Sequence, residues 1–147
     1  MVHKDSQINS FTFSRDYSIL ATAANDGCRI LDPETFEVIR YFKQERPLNC
    51  VSVSPLFCSE SKPKYHVLLG GGIPAILTAM KKGNLGYEAI MYNAMYGQEV
   101  GKIPGHFGPI NSIEFFKDGG GYISAGEDTV IRVVRFDESY FESPELE

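Results

Sequence analysis

Residues Gly105 to Tyr140 read GHFGPINSIEFFKDGGGYISAGEDTVIRVVRFDESY. The Gly105-His106 pair opens the stretch, and an apolar run follows at Ile110, Ile113 and Phe115. Lys117-Asp118-Gly119-Gly120-Gly121 then supplies turn chemistry. Tyr122 and Ile123 form a second run that ends at Ser124, and Glu127-Asp128-Thr129 marks a tight turn. The last run alternates through Val130, Arg132, Val134 and Phe136. Apolar residues at period two place one face of a strand in a core, whereas Gly and Asp clusters reverse the chain. The stretch therefore predicts three short antiparallel strands.

The N-terminal residues repeat this pattern. His3 precedes an alternating run from Ile8 to Phe13, Ser14-Arg15-Asp16 turns the chain, and Tyr17 to Ala21 predicts a second strand. Thr22 stands where the later copy has Ser124, and Asn25-Asp26-Gly27 is a turn before a third strand from Cys28 to Leu31. Ile8-Asn9-Ser10 and Ile110-Asn111-Ser112 are identical triplets, with Asp16/Asp118 and Asp26/Asp128 at matching offsets. Glu37 to Phe42 predicts an outer fourth strand. A more divergent middle copy runs through Leu48–Ser54, Tyr65–Leu69, Tyr87–Ala94 and Glu99–Ile103. Its Phe57–Lys64 loop is long, Gly70-Gly71-Gly72 takes the place of the Asp turn, and residues 73–86 are an insertion with a hairpin turn at Lys81-Lys82-Gly83-Asn84. A Gly-His-led unit of three or four strands, repeating every ~40–45 residues, is the grammar of a WD40 blade. The expected fold is all-β: one partial WD40 β-propeller domain over residues 1–147, of about three consecutive four-stranded blades. Their approximate limits are 3–43, 44–103 and 104–137, the last blade lacks its outer strand, and the acidic C-terminal tail 138–147 is expected to be loosely packed. No helix of any length is expected.

Bulk properties exclude several classes. The 147 residues are 43% apolar, enough for a core, and the net charge of −5 argues against a phosphate-backbone partner. No apolar run approaches the ~18 residues of a membrane helix, and the N-terminus lacks a signal-peptide pattern. Cys28, Cys50 and Cys58 are odd in number and lie in or near apolar runs, so buried reduced thiols are expected. The three His and three Cys show no metal-ligand spacing, so no metal and no cofactor is expected.

His106, Ser124 and Asp128 contain the ingredients of a nucleophile triad. A hydrolase would need the serine exposed on a strained turn beside an oxyanion hole. Ser124 instead ends an apolar run, so the three are expected to form a hydrogen-bonded network that satisfies polar groups inside the blade. His3, Thr22 and Asp26 form a looser second copy. Val134 and Leu31 occupy the place of the usual blade tryptophan; the chain has no Trp. Gly70-Gly71-Gly72 lacks the Gly-Lys-Ser/Thr of a phosphate loop and reads as a bulge or a close backbone approach. Lys81 and Lys82 read as a solvated hairpin tip.

Glu45-Arg46-Pro47-Leu48-Asn49, Leu68-Leu69-Gly70-Gly71-Gly72, the GHFGPIN run from Gly105 to Asn111, Gly126-Glu127-Asp128, Phe136-Asp137 and Ser139-Tyr140-Phe141 stand in an order that resembles subunit i of eukaryotic translation initiation factor 3. The resemblance covers nearly the whole chain but only the C-terminal half of that family. The chain departs in a turn one residue shorter after Asp26, in the longer Phe57–Lys64 loop and in residues 73–80. The resemblance implies a cytoplasmic, non-catalytic WD40 scaffold subunit of the initiation complex, with subunits b and g as partners and the small ribosomal subunit reached indirectly. It implies no membrane and no direct sequence-specific nucleic acid. Asp16 and Asp32 match family acids that touch subunit b; by default they are turn residues bonding their own backbone. The alternative is a generic WD-repeat adaptor in a signalling or ubiquitin-ligase complex.

Three blades cannot close a ring. Open faces and an unpaired edge at Val130–Phe136 predict a piece of a longer protein, a shortened product, or self-association through the open blade edges.

Overall fold

The computed structural model describes residues 5–73 and 87–143. Eleven strands fall into three antiparallel sheets in chain order. The first holds β1 (Ile8–Phe13), β2 (Leu20–Ala24), β3 (Gly27–Leu31) and β4 (Val38–Lys43) as a simple meander. The second holds β5 (Leu48–Val53), β6 (His66–Gly71), β7 (Ala89–Asn93) and β8 (Glu99–Ile103). The third holds β9 (Ile110–Phe115), β10 (Gly121–Gly126) and β11 (Ile131–Arg135), with no fourth strand among the described residues. This is a partial propeller that does not close, and among the described residues β11 is an edge strand.

Two cores lie between the sheets. Ala21, Ala23, Cys28, Ile30 and Phe42 of the first sheet pack on Leu48, Val51, Val67, Leu69 and Ile90 of the second. The Phe42 and Tyr92 rings stack across this seam with centroids 4.3 Å apart, a contact worth about 0.5–1.5 kcal/mol beyond its area. Cys50, Leu68, Ala89 and Met91 on the other face of the second sheet pack on Ile110, Ile113, Phe115 and Tyr122 of the third. The second sheet thus uses alternate strand residues for opposite neighbours, as the pleat requires.

The Asn at the second position of each inner strand has a structural use in β1 and β5. Asn9 Nδ2 donates to the Leu48 carbonyl at 2.7 Å, and Asn49 Nδ2 donates to the Ile110 carbonyl at 3.0 Å. β1 is therefore fastened to the start of β5, and β5 to the start of β9.

Several expectations shift. β2 begins at Leu20, not Tyr17, because Ser14 N–H donates to the Ile19 carbonyl and Tyr17 takes a left-handed φ of 61° inside that turn. Gly70 and Gly71 lie in β6 rather than in a turn. A Cβ on Gly71 would sit 2.1 Å from the Pro47 carbonyl, and the β5–β6 register slips between Leu48 and Cys50, so both a close approach and a bulge are present. Part of the long loop is a 3-10 turn, Pro55–Cys58, capped by Ser54. The start of the acidic tail is ordered. Residues Glu138–Glu142 form a helical turn, α1, and Tyr140 packs on Phe136 with centroids 4.5 Å apart. Its hydroxyl lies 2.6 Å from His66 Nδ1, and Lys64 Nζ donates to the Ser143 carbonyl. The insertion hairpin expected over residues 75–91 falls mostly outside the described residues, as does His3.

Candidate functional site

The Gly105-His106 pair lies just before β9. A φ of 150° at Gly105, with a Cβ position 2.9 Å from Arg132, leaves that site to glycine. The turn from β10 to β11 carries Asp128. His106 Nδ1 is 2.9 Å from Asp128 Oδ2, and His106 Nε2 is 2.8 Å from Ser124 Oγ. Asp128 also accepts from the Phe107 N–H at 3.0 Å and the Val130 N–H at 3.2 Å. The Phe107 N–H comes first among the groups that hold the Asp128 carboxyl below its ordinary pKa, with His106 and Val130 contributing. Ser124 is 2% exposed and His106 8%. A substrate has no approach to this hydroxyl, and Asp128 is committed to backbone donors as well as to the imidazole. The chemistry available is bond satisfaction, not nucleophilic attack.

The equivalent residues of the first sheet are arranged differently. Thr22 pairs with Arg29 across β2 and β3, as Ser124 pairs with Arg132 across β10 and β11. Arg29 Nη1 reaches Asp26 Oδ2 at 2.9 Å, and its guanidinium lies 4.0 Å above the Tyr41 ring. The turn that is one residue shorter after Asp26 puts acid and arginine at i and i+3. In the third sheet the corresponding spacing is one longer, and Arg132 Nε is buried without a hydrogen bond.

Asp16 and Asp32 lie in the β1–β2 and β3–β4 connections, which a meander places at one end of the sheet. Asp16 Oδ1 accepts from Ser14 Oγ at 2.8 Å and from the Ser18 N–H at 3.0 Å. The Cys58 thiol, then Ser18 and Ser14, hold the Asp16 carboxyl far below its ordinary value. Asp32 Oδ1 accepts from the Glu34 and Thr35 N–H groups at 2.8 and 3.3 Å. The carboxylates are therefore fixed in direction at one end of the first sheet. Sequence reasoning missed the Cys58 contact, because nothing local links the turn of one sheet to the long loop of the next. Cys28 and Cys50 are buried, and burial pushes both thiols up to about 12. Among the described residues, no cluster of three or more metal-ligating side chains is present.

Comparison with known proteins agrees with this architecture. The family described as WD domain, G-beta repeat matches residues 1–29 and 97–134, which span β1, β2, the start of β3 and β8 to β11, and leave β5, β6 and β7 of the divergent second sheet unmatched. Eukaryotic translation initiation factor 3 subunit I of Bombyx mori is 37% identical over 140 residues, 92% of this chain and 40% of the relative. The human protein of that name is 38% identical over 138 residues, with the same shares covered, and that of Danio rerio 37%. The chain thus spans about two fifths of the length of the relatives it matches. Three successive antiparallel sheets, their repeated turns and these matches together give the chain a WD40-repeat, partial-propeller architecture, similar over nearly its whole length to translation initiation factor 3 subunit I.

Proposed function

We propose that this chain is a non-catalytic WD40 scaffold subunit of the translation initiation factor 3 complex, working in the cytoplasm. In this reading it supports assembly of the small-subunit preinitiation complex by holding other subunits, with subunits b and g as its partners. The carrying observation is the likeness to subunit I over 92% of the chain. His106, Ser124 and Asp128 serve as a blade-holding network, and His3, Thr22 and Asp26 as its counterpart in the first sheet. Asp16 and Asp32 form the partner-binding pair. Their shared end of the sheet and their hydrogen-bonded turns support this, since a preoriented carboxylate binds a cationic side chain at low ordering cost.

The test is a pull-down of purified subunits b and g with the tagged chain. Asp16→Lys and Asp32→Lys are each expected to weaken subunit b binding about tenfold or more, corresponding to about 1.4 kcal/mol or more. Unchanged affinity in a folded variant removes the acid pair from the interface. Capture of neither subunit, with a receptor or ubiquitin-ligase component in their place, favours the generic adaptor instead.

A further inference from the structure

A second surface is built from equivalent positions of all three repeats. Counted from Ile8, Leu48 and Ile110, the inner strands end in Phe13, Val53 and Phe115, and two residues later stand Arg15, Pro55 and Lys117. These six line one cleft of about 380 Å³ at the mouth between the sheets. It adjoins a second hollow around Phe116, Lys117, Asp118 and Arg135.

The charges here are of a particular kind. Elsewhere several cations are engaged: Arg29 with Asp26, Arg40 with the Met95 carbonyl, and Lys64 with the Ser143 carbonyl. Arg15 and Lys117 are exposed and make no ion pair among the described residues, and Arg135 is held with its guanidinium 4.6 Å over the Phe116 ring. The nearby acids Asp16 and Asp118 are turned to Ser14, Ser18 and the Gly120 N–H, leaving Glu114 as the one carboxylate that lines the first cleft. A chain of net charge −5 thus gathers three available cations around two phenylalanine rings.

We propose that this cleft is a docking site for an acidic peptide segment of a partner protein, with an aromatic or large apolar side chain between Phe13 and Phe116 and carboxylates on Arg15, Lys117 and Arg135. Charge complementarity commits the site to an anion. Glu114 and side-chain-sized hollows favour separate carboxylates over a continuous phosphate backbone. The acid pair Asp16/Asp32 stands at the same end of the first sheet but calls for a basic partner, and the acidic-peptide site does not rest on the translation reading.

Fluorescence anisotropy tests it, using the full chain and a fluorescein-labelled Glu-Glu-Phe-Glu-Asp-Leu-Glu peptide. The same peptide with Lys for each acid and a 12-nucleotide oligouridylate serve as competing probes. Saturable binding of the acidic peptide is expected. It should weaken at least about tenfold in the Arg15→Glu/Lys117→Glu double variant and about threefold in Arg135→Glu, and stay unchanged in Lys43→Glu on the outer strand β4. Circular dichroism checks that each variant is folded. No saturable binding, tighter binding of the oligouridylate, or unchanged affinity in the folded double variant would overturn the proposal.

Discussion

The first and third sheets carry the same repeat, and the same positions meet opposite surroundings. Ile110, Ile113 and Phe115 are 0%, 4% and 6% exposed, whereas their equivalents Ile8, Phe11 and Phe13 are 50%, 65% and 38% exposed. The third sheet turns this face to the second sheet, which covers it. The first sheet turns the equivalent face outward, where Phe11, Phe13 and Tyr17 form a row of rings with centroids 6.3 and 5.1 Å apart. On the other side of the molecule, Ile131 and Val133 of the edge strand β11 are 67% and 59% exposed. The repeat therefore specifies a face built for burial whether or not a neighbour covers it. An uncovered copy is an interaction surface by construction.

Paired substitutions can break or sharpen this comparison. Ile113→Ala should cost about 2–5 kcal/mol in urea unfolding, because its cavity lies inside a packed seam. Phe11→Ala, at the equivalent open site, should fall within about 0.5 kcal/mol of the parent. Equal effects would mean that the two faces do not differ in cover. Ser124→Ala leaves His106 Nε2 buried without a partner and should cost about 1–3 kcal/mol, while Thr22→Ala should cost less than about 1 kcal/mol. Next comes the Asn ladder. Asn49→Ala removes the bond to the Ile110 carbonyl and should cost about 0.5–1.5 kcal/mol. Asn111, on the last inner strand, has no following strand to fasten, and Asn111→Ala should be neutral within about 0.5 kcal/mol.

A further effect is a pH dependence. Burial, then Lys64, pulls the His66 pKa from 6.5 down to about 4. The unfolded chain then binds more protons than the folded one between pH 6.5 and 4, so this contribution is fully present above pH 6.5 and shrinks as pH falls through that window. Asp16 and Asp128 are shifted down from 3.8, so their contributions are lost only at lower pH. His66→Gln should flatten the stability profile between pH 6.5 and 4, measured by urea midpoint. An unchanged slope would assign it to other groups.

The strand runs and the His106–Ser124–Asp128 grouping were legible because they rest on local alternation and on a repeat with fixed offsets. The beginning of β2 was not, since alternation at Tyr17 cannot reveal that a six-residue turn closes through the Ser14–Ile19 bond. α1 was expected to be loose because its acidic composition suggests solvation, while Tyr140 anchors it through a local contact with Phe136 and a non-local one with His66. The Arg29–Asp26 pair was foreshadowed only by the turn one residue shorter, and the Cys58–Asp16 contact by nothing in either segment. The cleft at Arg15 and Lys117 needed three inner strands brought side by side.

Gel filtration with light scattering on the isolated chain tests the central claim most directly. If the outward face of the first sheet and the edge of the third are surfaces made to be covered, the folded chain should run at twice the mass of one chain or more, or stay in solution only with a partner. A folded, stable monomer with a single scattering mass across a hundredfold concentration range would contradict it.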